Sequence, residues 1–526
     1  MLAENTAAHS TSDATADVVD VTLTGDSATS SGDGVTVDGA TVTITAAGTY
    51  RLTGKLAGQV VVDAPDATVR LILDDADIAS TTTAAIAATN AELLVVELAE
   101  GSTNTLSDTD SYADDADVNA ALFSAGDLTI TGTGALDVTA NGNDAIASKD
   151  GLVVQSGDMT LTAADDGIRG KDYVIVEGGI IAVTAGGDGV KADNTEDADA
   201  GYVSITGGTL TVESGGDGID AESDLLVSGG TVQVTSGGGS GVTPSDDTSS
   251  KGLKSGTITV LEGGTVTVDA ADDAVHSDGS VHLAGAEVTA ASGDDGVHAE
   301  SAVLVSSGTL AVTRSVEGVE AKDITVDDGS VTLVSTDDGV NATEGTTSTE
   351  GSGGGFGGGG GGGETVADAT VTVNGGTLTI DAEGDGLDSN GDATITGGSV
   401  VVNGPEQNGN GALDVNGTLD VSGGTLTAAG SAGMVVTPSA DSSQSFVAVI
   451  LDSAVSAGTT LDLVGSDGDV VTTIKTTKTT QSVVYSSADI TDGDTYTLQN
   501  GGATVGTSTA GEASTGGRGG GGHGPR

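Results

Sequence analysis

A short phrase that begins with an acidic residue recurs along the middle of the chain. It consists of a small or acidic residue, Gly or Ala, an aliphatic residue, any residue and then a small residue, as in Asp166-Gly167-Ile168-Arg169-Gly170. The acidic position recurs after 22 residues, from Asp144 to Asp166 to Asp188. A phrase repeated at a fixed period is typical of solenoid proteins, in which equivalent residues of successive coils stack on one another.

Stacked carboxylates would form a column of like charges, and such a column needs counterions. On rungs roughly 4.8 Å apart, neighbouring carboxylates repel by about 1 kcal/mol in water and by about 3 to 4 kcal/mol at an effective dielectric of about 20. Ca2+ suits the column because it takes roughly six to eight oxygen ligands at flexible angles. Alternatively, the carboxylates cap N–H groups in turns or are solvated. The predicted Ca2+ ligands are Asp165, Asp166, Asp188, Asp217, Asp220, Asp272, Asp273, Asp294, Asp295, Asp337 and Asp338.

Four basic residues gather on three neighbouring repeats of this acidic chain: Lys149, Arg169, Lys171 and Lys191. Their positions in the phrase point outward, beside the acidic column. They can hold the carboxylates of an acidic sugar, with Arg169 making a paired hydrogen bond. The alternative is that they only neutralise the acidic column.

Two histidines, His276 and His298, occupy the outward position after the aliphatic residue in consecutive repeats. A zinc site at this position lacks an evident third nitrogen or sulfur ligand. We therefore expect both side chains to hydrogen-bond sugar or solvent in the same groove. The predicted saccharide-binding residues are Lys149, Arg169, Lys171, Lys191, His276 and His298.

Two further alternating stretches lie between successive acidic phrases, for example Val174-Ile175-Val176 and Ile180-Ile181-Ala182-Val183. Alternation with a period of two predicts strands with one buried face, and it places Thr209 and Thr211 outside. Strands this short, joined by turns of two or three residues, must stack in register to bury that face. We predict an all-β fold: a right-handed parallel β-helix with three strands per coil of about 22 residues, followed by a small C-terminal antiparallel β domain.

The rhythm of the alternating stretches changes after Pro438, and the last segment is rich in glycine. These changes divide the chain into five predicted segments. The segments are a disordered leader at 1–20, an N-terminal β region with the first coils at 21–140, the regular β-helix at 141–437 with a glycine-rich insertion at 351–363, a β-sandwich-like cap at 438–500, and a disordered glycine-rich tail at 501–526.

The composition agrees with a solenoid and limits the possible partners. The 526 residues include 87 Gly, six Tyr, three Phe and no Trp, too few large side chains for several globular cores. The net charge of −63 would repel nucleic acid and anionic lipid, although solubility or a salty medium also explains acidity. With no cysteine, disulfides are excluded. Neither a membrane-inserted segment nor an export signal is evident, so a signal for export would lie outside this sequence.

No nucleophile elbow, Walker loop, dinucleotide fingerprint or metalloprotease motif occurs at a strand-to-helix junction. No catalytic residue is therefore assigned, and the chain is expected not to be an enzyme. The stretches that carry a family likeness are Ala47–Tyr50, Leu98–Leu106, Ala147–Leu152, Asp166–Asp172, Gly187–Asp193, Ser482–Ser487 and Gly493–Leu498.

Together these stretches resemble the bacterial carbohydrate-binding domain family of secreted parallel β-helices, over nearly the whole chain. The resemblance implies binding of cellulose and of acidic polysaccharides such as polygalacturonate, Ca2+ on the helix, a pectate-lyase-like shape and an extracellular or cell-surface location. Because the chain has no tryptophan platform, acidic soluble chains are the expected ligand. The alternatives are a calcium-dependent polysaccharide lyase and a non-binding surface scaffold or adhesin. A monomer is expected.

Overall fold

The computed structural model describes residues 17–113, 115–243, 248–344 and 366–512. These residues form strands and turns and no helix, and most strand pairs are parallel, so the predicted all-β class is confirmed. None of them builds a helix long and apolar enough to cross a bilayer. The chain divides into unit 1, residues 1–279 with 286–288, and unit 2, residues 280–285 with 289–526. The strand Ser280–Ser292 contains residues of both units.

Most strands of unit 1 belong to three parallel ladders, in which each strand pairs with its equivalent in the next repeat. The first ladder carries the acidic phrase and comprises Ile86–Asn90, Ala120–Ser124, Asp144–Ser148, Ile168–Gly170, Val190–Ala192, Ile219–Ala221, Leu253–Ser255 and Val275–Ser277. The second comprises Leu93–Leu98, Asp127–Gly132, Gly151–Val154, Tyr173–Val176, Tyr202–Ile205, Asp224–Val227 and Ile258–Leu261. The third comprises Thr103–Ser107, Ala135–Ala140, Asp158–Ala163, Ile180–Ala185, Thr209–Ser214, Thr231–Ser236 and Thr265–Ala270.

The register of these ladders follows the repeat. Arg169 pairs with Lys191, and Lys191 pairs with Asp220, so equivalent residues of successive repeats are direct neighbours. Within a strand, burial alternates: Val174 and Val176 are buried and Ile175 between them is half-buried. Strands of three to six residues bury enough apolar surface only because each is covered by the strands before and after it.

Glycine corners let successive repeats approach closely. Gly230 has a φ of +84°, a conformation that other residues rarely adopt. A Cβ atom at this position would lie 2.8 Å from the carbonyl oxygen of Gly208, the equivalent corner of the preceding repeat. The corner therefore requires glycine both for its backbone angle and for the space between rungs.

The N-terminal strands of unit 1 include two antiparallel pairs. Val18–Gly25 pairs with Ala28–Ser30, and Val35–Asp38 pairs with Thr41–Ile44. Antiparallel pairs at the start of a ladder cover a strand edge that would otherwise be open to other chains. The predicted leader boundary at residue 20 is wrong, since it falls inside the first strand, while residues 1–16 lie outside the described residues. The remaining strands of this region are Gly48–Leu56, Gln59–Asp63 and Thr68–Ala79.

Unit 2 repeats the three-ladder pattern with two longer strands. Val297–Arg314 and Val319–Val326 each contribute to more than one ladder. The predicted insertion at 351–363 lies outside the described residues. The other ladder strands are Ser330–Ser335, Val340–Ala342, Thr370–Val373, Thr377–Ala382, Leu387–Ser389, Asp392–Ile395, Ser399–Asn403, Leu413–Val415, Leu419–Val421 and Thr425–Gly430.

The C-terminal strands of unit 2 are antiparallel. Thr480–Ser486 pairs with Phe446–Val455 and with the last ladder strand, Thr425–Gly430. The tail predicted from residue 501 is wrong over Ala503–Thr509, which form a strand, and 513–526 lie outside the described residues. A separate four-stranded sheet of this C-terminal cap consists of Val470–Lys475, Thr460–Val464, Thr495–Asn500 and Ala503–Thr509.

Candidate functional site

The acidic column stacks in unit 1 as the repeat predicts. The backbone N–H of Asp166 donates to Oδ1 of Asp144 at 3.2 Å, that of Asp188 to Asp166 at 2.8 Å, and that of Asp217 to Asp188 at 2.7 Å. The N–H of Lys251 continues the series to Asp217 at 2.7 Å. One oxygen of each carboxylate therefore caps the turn of the next repeat, as in the capping alternative.

The second oxygens of the column face the basic residues. Lys191 pairs with Asp188, and it lies 3.7 Å from Asp220. Lys254 lies 3.2 Å from Oδ2 of Asp217 and 3.1 Å from Oδ1 of Asp220. The basic side chains thus neutralise the column, and Asp188, Asp217 and Asp220 already have cationic partners. Lys254, absent from the predicted binding set, shares the outward position of Arg169 and Lys191.

Arg169 and Lys171 also form ion pairs with acidic residues of the protein. Arg169 contacts Asp193 at 2.5 Å through Nη2 and Asp144 at 3.7 Å through Nη1. Lys171 lies 3.6 Å from Glu196, a residue of the acidic loop 194–200. These contacts are ion pairs within the protein, so an acidic sugar would have to share or displace them.

Lys149 differs from the other three predicted basic residues. Within the described part of the chain, no carboxylate lies at ion-pair distance from it, and its Nζ lies 5.9 Å from the centre of the Phe123 ring. Partial burial and the nearby charge of Arg169 lower the pKa of Lys149. Lys149 is therefore an ammonium group that an added carboxylate can approach without breaking an ion pair.

Three carboxylates form a cluster, here named the carboxylate triad: Asp144, Asp165 and Asp166. One oxygen from each lies within 4.8 Å of the others. Burial, together with the charge of Asp166, raises the pKa of Asp144 to about 7. Burial, together with the charges of Asp188 and Asp165, raises the pKa of Asp166 to about 6. A bound cation would reverse both shifts, and an all-oxygen set fits Ca2+. Asp144 belongs to the column but was absent from the predicted ligand set.

An open cleft of about 460 Å³ runs over this part of the column. A second cleft, of about 600 Å³, lies at the acidic loop 194–200 and is lined by Glu196, Asp197 and Glu222. The first cleft is lined by residues of both signs of charge, whereas the charged residues lining the second are acidic. The residues lining it include Asp166, Arg169, Asp188, Lys191, Asp217 and Lys254.

The histidines are each bound to carboxylates. In unit 1, Nδ1 of His276 lies 2.8 Å from Asp273, and Nε2 lies 3.1 Å from Asp278. In unit 2, Nδ1 of His298 lies 3.1 Å from Asp295. Both side chains are partly exposed, and their hydrogen bonding to sugar stays a prediction.

The remaining predicted Ca2+ ligands are spread along the two units. In unit 1, Nζ of Lys251 lies 2.7 Å from Asp272 and 3.7 Å from Asp273. In unit 2, Oδ1 of Asp338 accepts the N–H of Asp385 at 2.6 Å. Burial, together with the charge of Asp385, raises the pKa of Asp338 to about 7. The other two ligands predicted in unit 2, Asp294 and Asp337, are exposed.

Comparison with known proteins identifies the family of the segment that contains the carboxylate triad. Residues 38–296 match the family model of carbohydrate-binding domain-containing proteins. A carbohydrate-binding domain-containing protein of Acetivibrio thermocellus is 36% identical over 126 residues, which cover 23% of this chain and 44% of the relative. Residues 38–296 thus belong to the carbohydrate-binding domain family. The chain spans less than half the length of that curated relative.

A solved structure is also similar in sequence. It is described as a polysaccharide lyase-like protein from C. thermocellum in a gadolinium derivative. It is 34% identical, with 41% of this chain and 94% of that chain covered, and the TM-score is 0.39.

Proposed function

We propose that the protein binds acidic, polygalacturonate-like polysaccharide outside the cell or on its surface, with Ca2+ as a bridge, and that each unit is a right-handed parallel β-helix. The carboxylate triad beside Lys149 and Arg169, inside the family segment, carries this proposal. Cellulose is a further ligand of the same proposal. Carbohydrate binding is the property named by the family; the glycan, the metal and the location are proposed here.

Electrostatics gives the reason for a bridging ion. A chain with a net charge of −63 repels a polyuronate at long range. Ca2+ in the carboxylate triad would neutralise the nearest protein carboxylates and keep coordination positions for sugar oxygens. Lys149 would then receive a second sugar carboxylate, because it pairs with no carboxylate in the part of the chain that the structure describes.

A polysaccharide lyase is the second candidate, and one observation favours it. The lowered pKa of Lys149 increases the fraction of its amine that is neutral. A neutral amine beside a bound uronate could remove the proton next to the sugar carboxylate while the C–O bond to the adjacent sugar breaks, and the departing oxygen would take a proton from water. Incubation with polygalacturonate and calcium, followed by absorbance of unsaturated product, tests this activity. We expect no product, because the family name denotes binding and the ordinary pKa of a lysine lies far above neutral pH.

The binding proposal is tested by calorimetry with polygalacturonate in calcium and in chelator. We expect binding only with calcium, and Asp165→Asn should weaken it by about tenfold or more, since it removes one triad carboxylate. Asp337→Asn is the matched control: Asp337 precedes Asp338 as Asp165 precedes Asp166, is likewise exposed, and lies outside the triad. Equal binding in chelator, or equal loss in both variants, would contradict a calcium bridge at the triad. Absence of binding to every glycan on an array would favour the scaffold alternative.

A further inference from the structure

A second cluster, in unit 2, combines nitrogen and oxygen ligands. We propose that Asp295, His298 and Glu320, here named the histidine cluster, bind a divalent first-row transition metal ion such as Zn2+ or Co2+. One ligand atom from each residue lies within 4.8 Å of the other two. Imidazole nitrogen favours these metals over Ca2+, which prefers oxygen. The proposal is independent of the calcium bridge in unit 1.

The strands of unit 2 place the three side chains together. His298 and Glu320 are register partners on Val297–Arg314 and Val319–Val326, so both project outward from adjacent strands. Asp295 lies in the turn three residues before His298, is 7% exposed, and contacts Nδ1 of His298 at 3.1 Å. A buried carboxylate and a strand-fixed glutamate leave little freedom, so a metal would meet a partly preorganised site.

The surroundings of the histidine cluster are rich in oxygen and poor in positive charge. Among the described residues, no lysine or arginine pairs with Glu317 or Glu320. The side chains of the two glutamates lie within hydrogen-bond distance of each other. Two carboxylates held this close attract a cation.

Asn341 supplies a separate observation. It is the next residue after Glu320 in the outward column, and its Nδ2 donates to Oε2 of Glu317 at 2.9 Å. Its Oδ1 is buried and has no hydrogen-bond partner among the residues that the structure describes. A buried carbonyl oxygen without a donor is costly, and a cation held at the neighbouring Glu320 would offset part of this cost.

His276 of unit 1 has the same sequence context and a different environment. It also follows an aspartate by three residues, Asp273, which its Nδ1 contacts at 2.8 Å. Its register partner within unit 1 is Lys254, and Lys251 lies 3.7 Å from Asp273. Positive charge next to His276 disfavours a second cation, so the two histidines form a matched pair for a test.

The test is Co2+ titration of the full chain with calcium in large excess, so that oxygen-only sites are filled. Calorimetry gives the affinity, and visible absorption reports the ligand field of the bound Co2+, which changes when an imidazole nitrogen replaces an oxygen ligand. We expect one Co2+ site whose affinity falls by about tenfold or more in His298→Asn and in Glu320→Gln. His276→Asn should leave it unchanged.

Three results would overturn the proposal: no Co2+ uptake by the unaltered chain, uptake that His298→Asn leaves unchanged, or equal losses in His276→Asn and His298→Asn. Glu320→Gln keeps the size of a partly exposed side chain, and circular dichroism of each variant checks that the strands are retained. Calcium-dependent binding of polygalacturonate, measured on the same variants, should not change. Failure of the calcium bridge would therefore be visible separately from failure of the histidine cluster.

Discussion

Partly buried carboxylates that pair with no lysine or arginine among the described residues should set the pH dependence of stability. Burial, together with the charges of Asp338, Asp414 and Asp385, raises the pKa of Asp388 to about 8. A carboxyl group whose pKa is higher in the folded state holds more protons when folded than when unfolded, so stability falls as pH rises from about 4 to about 8.

Asp388→Asn removes this titration and keeps the shape of the side chain. In chelator at pH 9 we expect the variant to be more stable than the unaltered chain by more than about 1.4 kcal/mol, since that is the equivalent of one pKa unit and the pKa of Asp388 is raised by several units, with the difference vanishing near pH 4. Thermal unfolding followed by circular dichroism measures this. Asp452→Asn, at an exposed position, is the control and should have no such effect. A pH-independent difference would show that charge at Asp388 is not the cause.

The sequence predicts the positions of these residues better than their partners. The 22-residue period correctly stacks Asp144, Asp166 and Asp188, because strand spacing and register determine where each Cα lies. It does not determine the direction of a long side chain. Arg169 was predicted to bind sugar, but its side chain pairs with Asp193. Asp144 was not among the predicted Ca2+ ligands, although one of its oxygens belongs to the carboxylate triad. Local electrostatics decides these contacts, and it depends on residues far apart in sequence.

At the scale of strands, the sequence period predicted the ladders but did not predict the first and last strands of the described chain. Alternating burial identified three strands per repeat, because each repeat buries one face against its neighbours. Val18–Gly25 and Ala503–Thr509 were assigned partly or wholly to disordered segments. Ala503–Thr509 pairs antiparallel with Thr495–Asn500, and Val18–Gly25 pairs antiparallel with Ala28–Ser30 and parallel with Gly48–Leu56. Neither strand carries the repeated acidic phrase, so the repeat did not predict them.

One loop of the C-terminal cap is tied to the third ladder of unit 2. Nζ of Lys478 lies 2.9 Å from Asp381 and 3.0 Å from Glu383, and it donates to the carbonyl of Ala382 at 2.5 Å. Thr477 also donates to Asp381 at 2.9 Å. The side chain of Lys478 is only 12% exposed. The ammonium group of Lys478 therefore links this loop of the cap to the third ladder.

Lys478→Met should destabilise the chain by about 1 to 2 kcal/mol, because it leaves the carbonyl of the buried Ala382 and the partly exposed carboxylate of Asp381 without their charged donor. Urea unfolding measures the loss, and hydrogen exchange should become faster in Thr480–Ser486, the strand that follows the loop. Lys475→Met, at an exposed position of the preceding strand, is the control. Equal effects of the two substitutions would mean that the contacts of Lys478 contribute nothing specific.

At the scale of the whole molecule, charge is the dominant feature. Fifteen basic residues against 78 acidic ones create self-repulsion that monovalent salt only screens. Ca2+ bound to the folded chain would act differently, because it stabilises the folded state in proportion to the logarithm of its concentration. Screening and specific binding can therefore be separated by comparing ions at equal ionic strength.

We expect the melting temperature to be higher in calcium chloride than in sodium chloride of the same ionic strength. At a free concentration about 100 times the dissociation constant, one site adds about 2.7 kcal/mol. Asp165→Asn should lower the calcium-specific increment and leave the sodium curve unchanged, because Asp165 is exposed in the triad and pairs with no lysine or arginine among the described residues. If both salts stabilise equally, calcium acts only by screening, and the carboxylate triad is a set of capped and neutralised turns.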